Sequence, residues 1–169
     1  MTLLGQATPA MMRAFVALGA NLGEPRRQLE AAIEEIKRLP ETRFVRASSF
    51  YRSAPVGCAD QPDFLNAVVQ LDTGLPPEAL LDRLQEIEHR HGRERPFPGA
   101  PRTLDLDLLL YGERVVATPR LTLPHARMHE RAFVLLPLLE LDSAISIPGR
   151  GPAKSLLPAC SAQKIERVE

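Results

Sequence analysis

Residues 104–111 read Leu-Asp-Leu-Asp-Leu-Leu-Leu-Tyr, preceded by Pro101-Arg102-Thr103. From Leu104 to Leu108 apolar and acidic residues alternate with the period of a β-strand, and the run then turns wholly apolar, as expected of an inner, central strand. Working outward, Arg93 to Pro101 (RERPFPGAP) holds three prolines and a glycine, which suits a surface loop and neither a helix nor a central strand. Before that loop, Pro76-Pro77-Glu78 opens a helix whose buried stripe is Leu80, Leu84 and Ile87, with Gly92 as its stop. After the strand, Glu113 to Ala117 is expected to fold back on it as a short hairpin arm.

Further out, Arg13 to Leu18 is a short apolar run ended by Gly19-Ala-Asn-Leu-Gly23, a strand entering a turn. Pro25 then suits the first turn of a helix, in which Leu29, Ile33 and Ile36 form one stripe, ending near Pro40. Thr42 to Ser53 and Phe64 to Thr73 are rich in β-branched and aromatic residues and read as a long hairpin across the loop Ala54 to Pro62. Beyond Pro119 and Pro124, the segment from Met128 to Leu139 looks helical, with Pro137 expected to shorten or kink it, and the tail is weakly patterned. The order β-α-β-β-α-β predicts an α+β, ferredoxin-like antiparallel sheet with helices on one face and appended C-terminal elements. That architecture serves many functions, so chemistry has to be read from a site.

Composition narrows the classes. The chain has 169 residues and balances 21 basic against 21 acidic side chains. A polyanion-coating protein and an acidic disordered tail are both poor fits. Only Lys37, Lys154 and Lys164 are lysines, leaving 18 arginines, the side chain suited to forked contacts with phosphate. GC-rich coding also favours arginine, so the excess alone names no ligand. Cys58 and Cys160 are too few for a disulfide framework and form no C-x-x-C pair, which makes a reducing, cytoplasmic setting the expectation. No apolar run reaches the roughly 20 residues of a membrane span, and Met1 to Met12 does not read as a secretory signal. Residues 1–12 are expected to be a disordered extension, and 13–169 a single catalytic domain.

The alternation places Asp105 and Asp107 on one face of their strand, about 6.6 Å apart along it, within reach of a common site. Hard carboxylate oxygens with no cysteine or histidine pair nearby favour Mg²⁺ over Zn²⁺, and Mg²⁺ usually arrives with the phosphates it binds. An amphipathic strand with its aspartates in water would look the same. Arg90, Arg93, Arg95 and Arg102 bracket the loop leading into the aspartates, as a metal-phosphate site would require, although these charges can also pair among themselves. No G-x-x-x-x-G-K-[ST] or G-x-G-x-x-G is present, so a nucleotide would be held by side chains and metal. Ser48 and Ser49 lack a nucleophile-elbow context, and neither cysteine has a histidine at a telling spacing. His125, after Leu123-Pro124, can return to the phosphates as a donor or be a solvated loop residue. His89 and His91 read as structural or exposed.

Five ordered blocks resemble the 6-hydroxymethyl-7,8-dihydropterin pyrophosphokinase family of folate biosynthesis, over about Ala14 to Leu139. They are Ala17-Leu-Gly-Ala-Asn-Leu22, Ser49-Phe-Tyr-Arg-Ser53, Asp60-Gln-Pro-Asp-Phe-Leu-Asn66, Pro101-Arg-Thr-Leu-Asp-Leu-Asp107 and Leu123-Pro-His125. The resemblance implies a ferredoxin-like α+β fold and transfer of the β,γ-pyrophosphoryl unit of ATP to the pterin hydroxymethyl oxygen, with release of AMP. It implies two Mg²⁺ ions on Asp105 and Asp107, and Arg93 and Arg102 stabilising charge during transfer. Gln85, Glu88, Arg95, Arg102, Leu108, Arg120, Thr122, His125 and Arg131 would meet ATP. Ser53, Ala54, Val56, Phe64, Asn66 and Phe133 would form the pterin pocket, with Asn66 both donating to and accepting from the heterocycle. The implied partners are these small molecules, with no nucleic acid, no membrane and a monomeric enzyme.

Many members carry a tryptophan in the loop before the aspartates. This chain has none, and offers Pro96-Phe97-Pro98-Gly99-Ala100, where Phe97 is the candidate for stacking. Phe64 stands where a tyrosine is common, and Ala126 replaces a polar residue. The loops Ser53 to Gln61 and Gly92 to Pro101 are expected to close over both substrates and exclude water. Two other readings compete: a different Mg²⁺-dependent phosphoryl or nucleotidyl transferase using the same acidic pair, and a ferredoxin-like regulatory module that binds a small ligand without catalysis.

Overall fold

The computed structural model describes residues 10–55, 61–92 and 104–168. The first strand, β1 (Met12–Ala20), leads into α1 (Pro25–Ile36), where Pro25 occupies the first turn and needs no backbone partner. Leu29, Ala32 and Ile36 of α1 are buried. Next come β2 (Thr42–Ala47), β3 (Phe50–Ser53) and β4 (Phe64–Thr73). Helix α2 (Pro77–Arg90) has Glu78 in its first turn and His89 and Arg90 in its last, matching the helix dipole at both ends. Gly92 then turns the chain at φ +74°, a conformation glycine adopts without strain.

Helix α2 is followed by β5 (Asp105–Tyr111), β6 (Val116–Ala117), β7 (Thr122–Leu123), a 3₁₀ turn at Met128–Glu130 and α3 (Ala132–Leu141). The tail forms β8 (Ser146–Ile147), β9 (Gly151–Pro152), a 3₁₀ segment at Ala153–Cys160 and β10 (Ile165–Val168). The main sheet runs β10-β3-β4-β1-β5, with β2 also on β4, and every pairing in it is antiparallel. This is the predicted ferredoxin-like order.

Four local expectations are corrected. The run Thr42 to Ser53 is two strands, because Ser48 interrupts the ladder: its Oγ accepts the Val68 N–H at 2.9 Å and donates to the Ser49 carbonyl at 2.7 Å. Strand β5 lies at the sheet's edge rather than its centre. Its leucines are still covered on both faces, and its outer edge is met where the His125 N–H donates to the Leu109 carbonyl at 2.9 Å. The arm at Val116–Ala117 pairs with β7 instead of β5, since Gly112, at φ +54°, turns the chain away and spends its N–H on Arg13. Helix α3 passes through Pro137 to Leu141, and the tail, which has no clear pattern, supplies the edge strand β10.

The sheet has two different faces. On one, Val16, Leu18, Val69, Leu71, Leu106 and Leu108 pack under α1 and α2 with Leu80, Leu84 and Ile87. On the other, Phe15, Val68, Leu109 and Leu110 pack under α3 through Val134, Leu135 and Leu138. A bulge produces the change in β5: Val16 faces Leu108 and Phe15 faces Leu110, leaving Leu109 as the extra residue, so both Leu109 and Leu110 join the second core. Helix α3 covers only part of its face. Beyond it the sheet opens.

Candidate active site

Strand register brings the polar residues of that open end together. Gly19 of β1 is paired with Asn66 of β4 on one side and with Asp105 of β5 on the other, and Ala17 is likewise opposite Asp107. Cross-strand partners share a face, so Asn66, Asp105 and Asp107 all point away from α1 and α2. Gly19 and Ala17 keep the floor between them low. These residues line a cleft of about 540 Å³ with Ser53, Ala54, Phe64, Arg131 and Phe133. Sequence reasoning assigned Asp105 and Asp107 to phosphate chemistry and the others mainly to a heterocycle, and the fold puts both groups in one cavity.

Asn66 is buried at 3% exposure and its amide is oriented by the protein. Nδ2 donates to the Ser53 Oγ at 2.8 Å and to the Tyr51 carbonyl at 3.2 Å. The carbonyl partner fixes which end of the amide is nitrogen, because only nitrogen can donate to it. Both hydrogens are committed inside the protein, so the side chain presents an acceptor to the cleft, in contrast to the expected donor and acceptor. Ser53, having accepted from Asn66, keeps its O–H for donation. Phe64 faces Ser53 across the β3–β4 ladder.

On the opposite wall, the Arg131 guanidinium lies 5.5 Å from the centre of the Phe133 ring. A residue expected on the nucleotide and one expected on the pterin are therefore stacked together. His125 does not line the cleft itself. Burial pushes its imidazole below the ordinary value against the pull of the Asp107 carboxylate, while Arg131 and Arg127 push the same way as burial. Its Nδ1 accepts the Arg127 backbone N–H at 3.2 Å, which leaves Nε2 as the proton-bearing nitrogen in the neutral ring.

The other nucleotide candidates among the described residues lie on α2, β5 and the segment around β7 and do not line the cleft. Glu88 is buried at 5% exposure, and its Oε2 accepts the N–H of Leu106, the residue between the two aspartates, at 2.8 Å. Gln85 is exposed on the same helix. Arg120 forms an ion pair with Asp82 of α2, and Thr122 is exposed on β7. The Leu108 side chain is in the core under α2, so a contact from this residue to a ligand would be through its main chain. Arg93, Arg95, Arg102, Val56 and Phe97, and with them most of both expected closing loops, lie outside the described residues.

Three polar cleft residues had no sequence signal: Glu130, Arg127 and Gln163. Gln61, from the quoted block 60–66, also lines the cleft, and its Oε1 accepts from Asn21 Nδ2 at 2.9 Å. Gln163 comes from the unpatterned tail, which reaches the cleft through the packing of its 3₁₀ segment on α3 and the pairing of β10 with β3. His91, read as structural, accordingly joins α2 to α1 through Glu35 and, at 2.7 Å, Gln28.

Chemically, Asp105 and Asp107 offer hard oxygen donors, both half-buried. Among the described residues no cluster of three or more histidine, cysteine or acidic side chains could hold a metal ion. Two carboxylates alone suit Mg²⁺, which keeps water ligands and shares phosphate oxygens, better than a metal needing an all-protein cage. Among the described residues, no helix is long and apolar enough to cross a membrane.

Comparison with known proteins agrees with this geometry. The family model for 7,8-dihydro-6-hydroxymethylpterin-pyrophosphokinase matches residues 15–143. The chain is 51% identical over 158 residues to the 2-amino-4-hydroxy-6-hydroxymethyldihydropteridine pyrophosphokinase of Pseudomonas aeruginosa, covering 94% of this chain and 98% of that one. It is 49% identical over 138 residues to the enzyme of the same name from Haemophilus influenzae, covering 82% and 86%. Among solved structures, the HPPK-DHPS A437G protein of Plasmodium falciparum superposes with a TM-score of 0.72 at 13% identity, over 93% of this chain. That match spans about half of the larger protein, 47%, and bears on the fold alone.

Proposed function

The chain belongs to the 7,8-dihydro-6-hydroxymethylpterin-pyrophosphokinase family, and from that membership we propose that its cleft joins ATP to 6-hydroxymethyl-7,8-dihydropterin, giving AMP and the pterin diphosphate. The hydroxymethyl oxygen forms a bond to the β-phosphorus, the bond between that phosphorus and the α,β-bridging oxygen breaks, and the oxygen leaves on AMP. The hydroxyl proton goes to solvent or to a phosphate oxygen. One observation carries the assignment: Asp105 and Asp107 share a cavity with Asn66, Phe64 and Phe133.

Phosphoryl transfer asks little covalent chemistry of a protein, so positioning and charge neutralisation supply the rate. Asp105 and Asp107 would hold two Mg²⁺ ions, which when bound neutralise the triphosphate and polarise the attacked phosphorus. Phe64 and Phe133 would sandwich the flat heterocycle, and the Asn66 Oδ1 would accept one of its N–H groups. Arg131, from its place on Phe133, would meet the phosphates where the two substrates adjoin, and Arg93 and Arg102 would stabilise the charge that develops in transfer. Arg95, Gln85, Glu88, Arg120, Thr122, His125 and the main chain at Leu108 would bind the rest of ATP along the β5 edge. Ser53, Ala54 and Val56 would complete the pterin pocket.

We also take residues 13–169 to act as one catalytic domain and as a cytoplasmic monomer on small molecules without nucleic acid. The formal charge of zero supports the absence of a nucleic-acid partner. Incubation with ATP, Mg²⁺ and the pterin, followed by identification of the nucleotide product, tests the reaction. AMP formed only when pterin is present is expected. ADP, or AMP formed equally without pterin, would contradict it, as would full turnover by Asp105→Ala.

A further inference from the structure

Gln163 lines the main cleft and also a neighbouring cavity of about 360 Å³ that shares Phe133 and Ser53 with it. The backbone entering α3 holds its carboxamide at both ends. Nε2 donates to the Glu130 carbonyl at 2.6 Å, and Oε1 accepts the Ala132 N–H at 2.9 Å. Arg131 lies between those two residues. Helix starts leave N–H groups without helical partners, and the residue before α3, Arg131, makes no side-chain cap, so Gln163 caps the helix from 31 positions away.

The next two residues reach the other wall. The Lys164 carbonyl accepts the Ala54 N–H at 3.4 Å, and Ile165 pairs with Ser53, whose Oγ accepts from Asn66. Three consecutive residues thus tie the Arg131–Phe133 side of the cleft to the Ser53–Asn66 side. A glutamine suits this place because the backbone offers one acceptor and one donor, and a carboxamide answers both.

We propose that Gln163 is a positioning residue for pyrophosphoryl transfer, setting the spacing between the Phe133 wall and the Asn66 wall and so the fit of the heterocycle. The proposal rests on the assignment of the cleft to a pterin. Gln163→Met keeps length and shape but removes both hydrogen bonds, whereas Gln163→Glu keeps the acceptor for Ala132 and loses the donor for Glu130. Gln163→Met is expected to raise the pterin KM about fivefold to tenfold, the effect of one to two modest hydrogen bonds, with kcat within about twofold of wild type. Gln163→Glu sets a carboxylate oxygen against the Glu130 carbonyl and should raise the pterin KM at least as much.

Calorimetric titration of pterin in the presence of a non-hydrolysable ATP analogue should show the same ratio in Kd without relying on turnover. A merely structural role would lower the melting temperature or the active fraction and leave pterin KM and Kd within about twofold of wild type, and that result would overturn the proposal. If Gln163→Met does not fold, Gln163→Glu decides by the same criterion. Wild-type protein that makes no AMP from ATP and pterin would overturn the function and this role together, whereas normal wild-type turnover with an unaltered variant KM would overturn the role alone.

Discussion

A Cβ built on Gly19 comes 3.4 Å from Oδ1 of Asn66, the oxygen that the cleft presents to a ligand. Gly19 stands between Asn66 and Asp105, so the missing side chain keeps open the path between the positions proposed for the heterocycle and for the metal. Its φ lies outside the left-handed region, so alanine fits the backbone without strain. Gly19→Ala should therefore fold normally, with a melting temperature equal to or up to about 4 °C above wild type, because alanine narrows the unfolded ensemble. Its pterin KM should rise about tenfold. An unchanged KM would mean that the ligand does not pass over this rung.

Asp105→Asn and Asp107→Asn, made separately, keep shape and remove the charge that would hold Mg²⁺. Both side chains are half-exposed, so melting temperatures should move by no more than about 2 °C, as for surface substitutions. Activity should fall at least about 100-fold, with the Mg²⁺ requirement shifted to higher concentration. A magnesium titration of initial rates reads both effects, and wild-type rates in either variant would remove the aspartates from the mechanism.

Much of this arrangement was legible because its signals are local. The alternation through Leu104 and Leu108 fixed the common face of Asp105 and Asp107, and the stripes Leu29–Ile36 and Leu80–Ile87 marked both helices of the first layer. The edge position of β5 was hidden, since leucines covered by two helical layers read like those of a central strand. Ser48 gave no warning that its hydroxyl would replace a ladder partner. Gln163 was illegible for a different reason: its role comes from partners 31 and 33 positions away, brought near by a strand pairing that a four-residue segment does not announce.

Glu140 of α3 accepts from three donors at the start of β3: the N–H and hydroxyl of Ser49, which precedes the strand, and, at 2.7 Å, the Tyr51 hydroxyl. Burial raises the Glu140 carboxyl, but the bonds from Tyr51 and Ser49 outweigh it and hold the group below its usual value. Burial and the same bond push the Tyr51 phenol up to about 12. A raised phenol contributes stability below its unfolded value of 10.0 and loses it as pH climbs toward 12. A depressed carboxyl contributes above 4.5 and loses its part as pH falls through its folded value. Tyr51→Phe should cost about 1–2 kcal/mol at neutral pH and flatten the loss of stability between pH 10 and 12. Urea melts across pH test this, and an unchanged alkaline limb in the variant would assign that limb to other groups.

Glu88 carries two expectations that one pair of variants separates. Its Oε2 receives the Leu106 N–H at 2.8 Å, in a setting only 5% exposed, and so helps hold the strand from which Asp105 and Asp107 project. Glu88→Ala would leave that buried N–H without its partner, at a cost of about 1–3 kcal/mol, which for a chain of this size is a fall of roughly 3–10 °C in melting temperature. Glu88→Gln keeps an oxygen there and should melt within about 2 °C of wild type. If the carboxylate also meets the nucleotide, its charge matters independently of the brace, so Glu88→Gln should raise the ATP KM about threefold to tenfold while stability holds. A glutamine variant with wild-type KM would leave Glu88 as a brace alone.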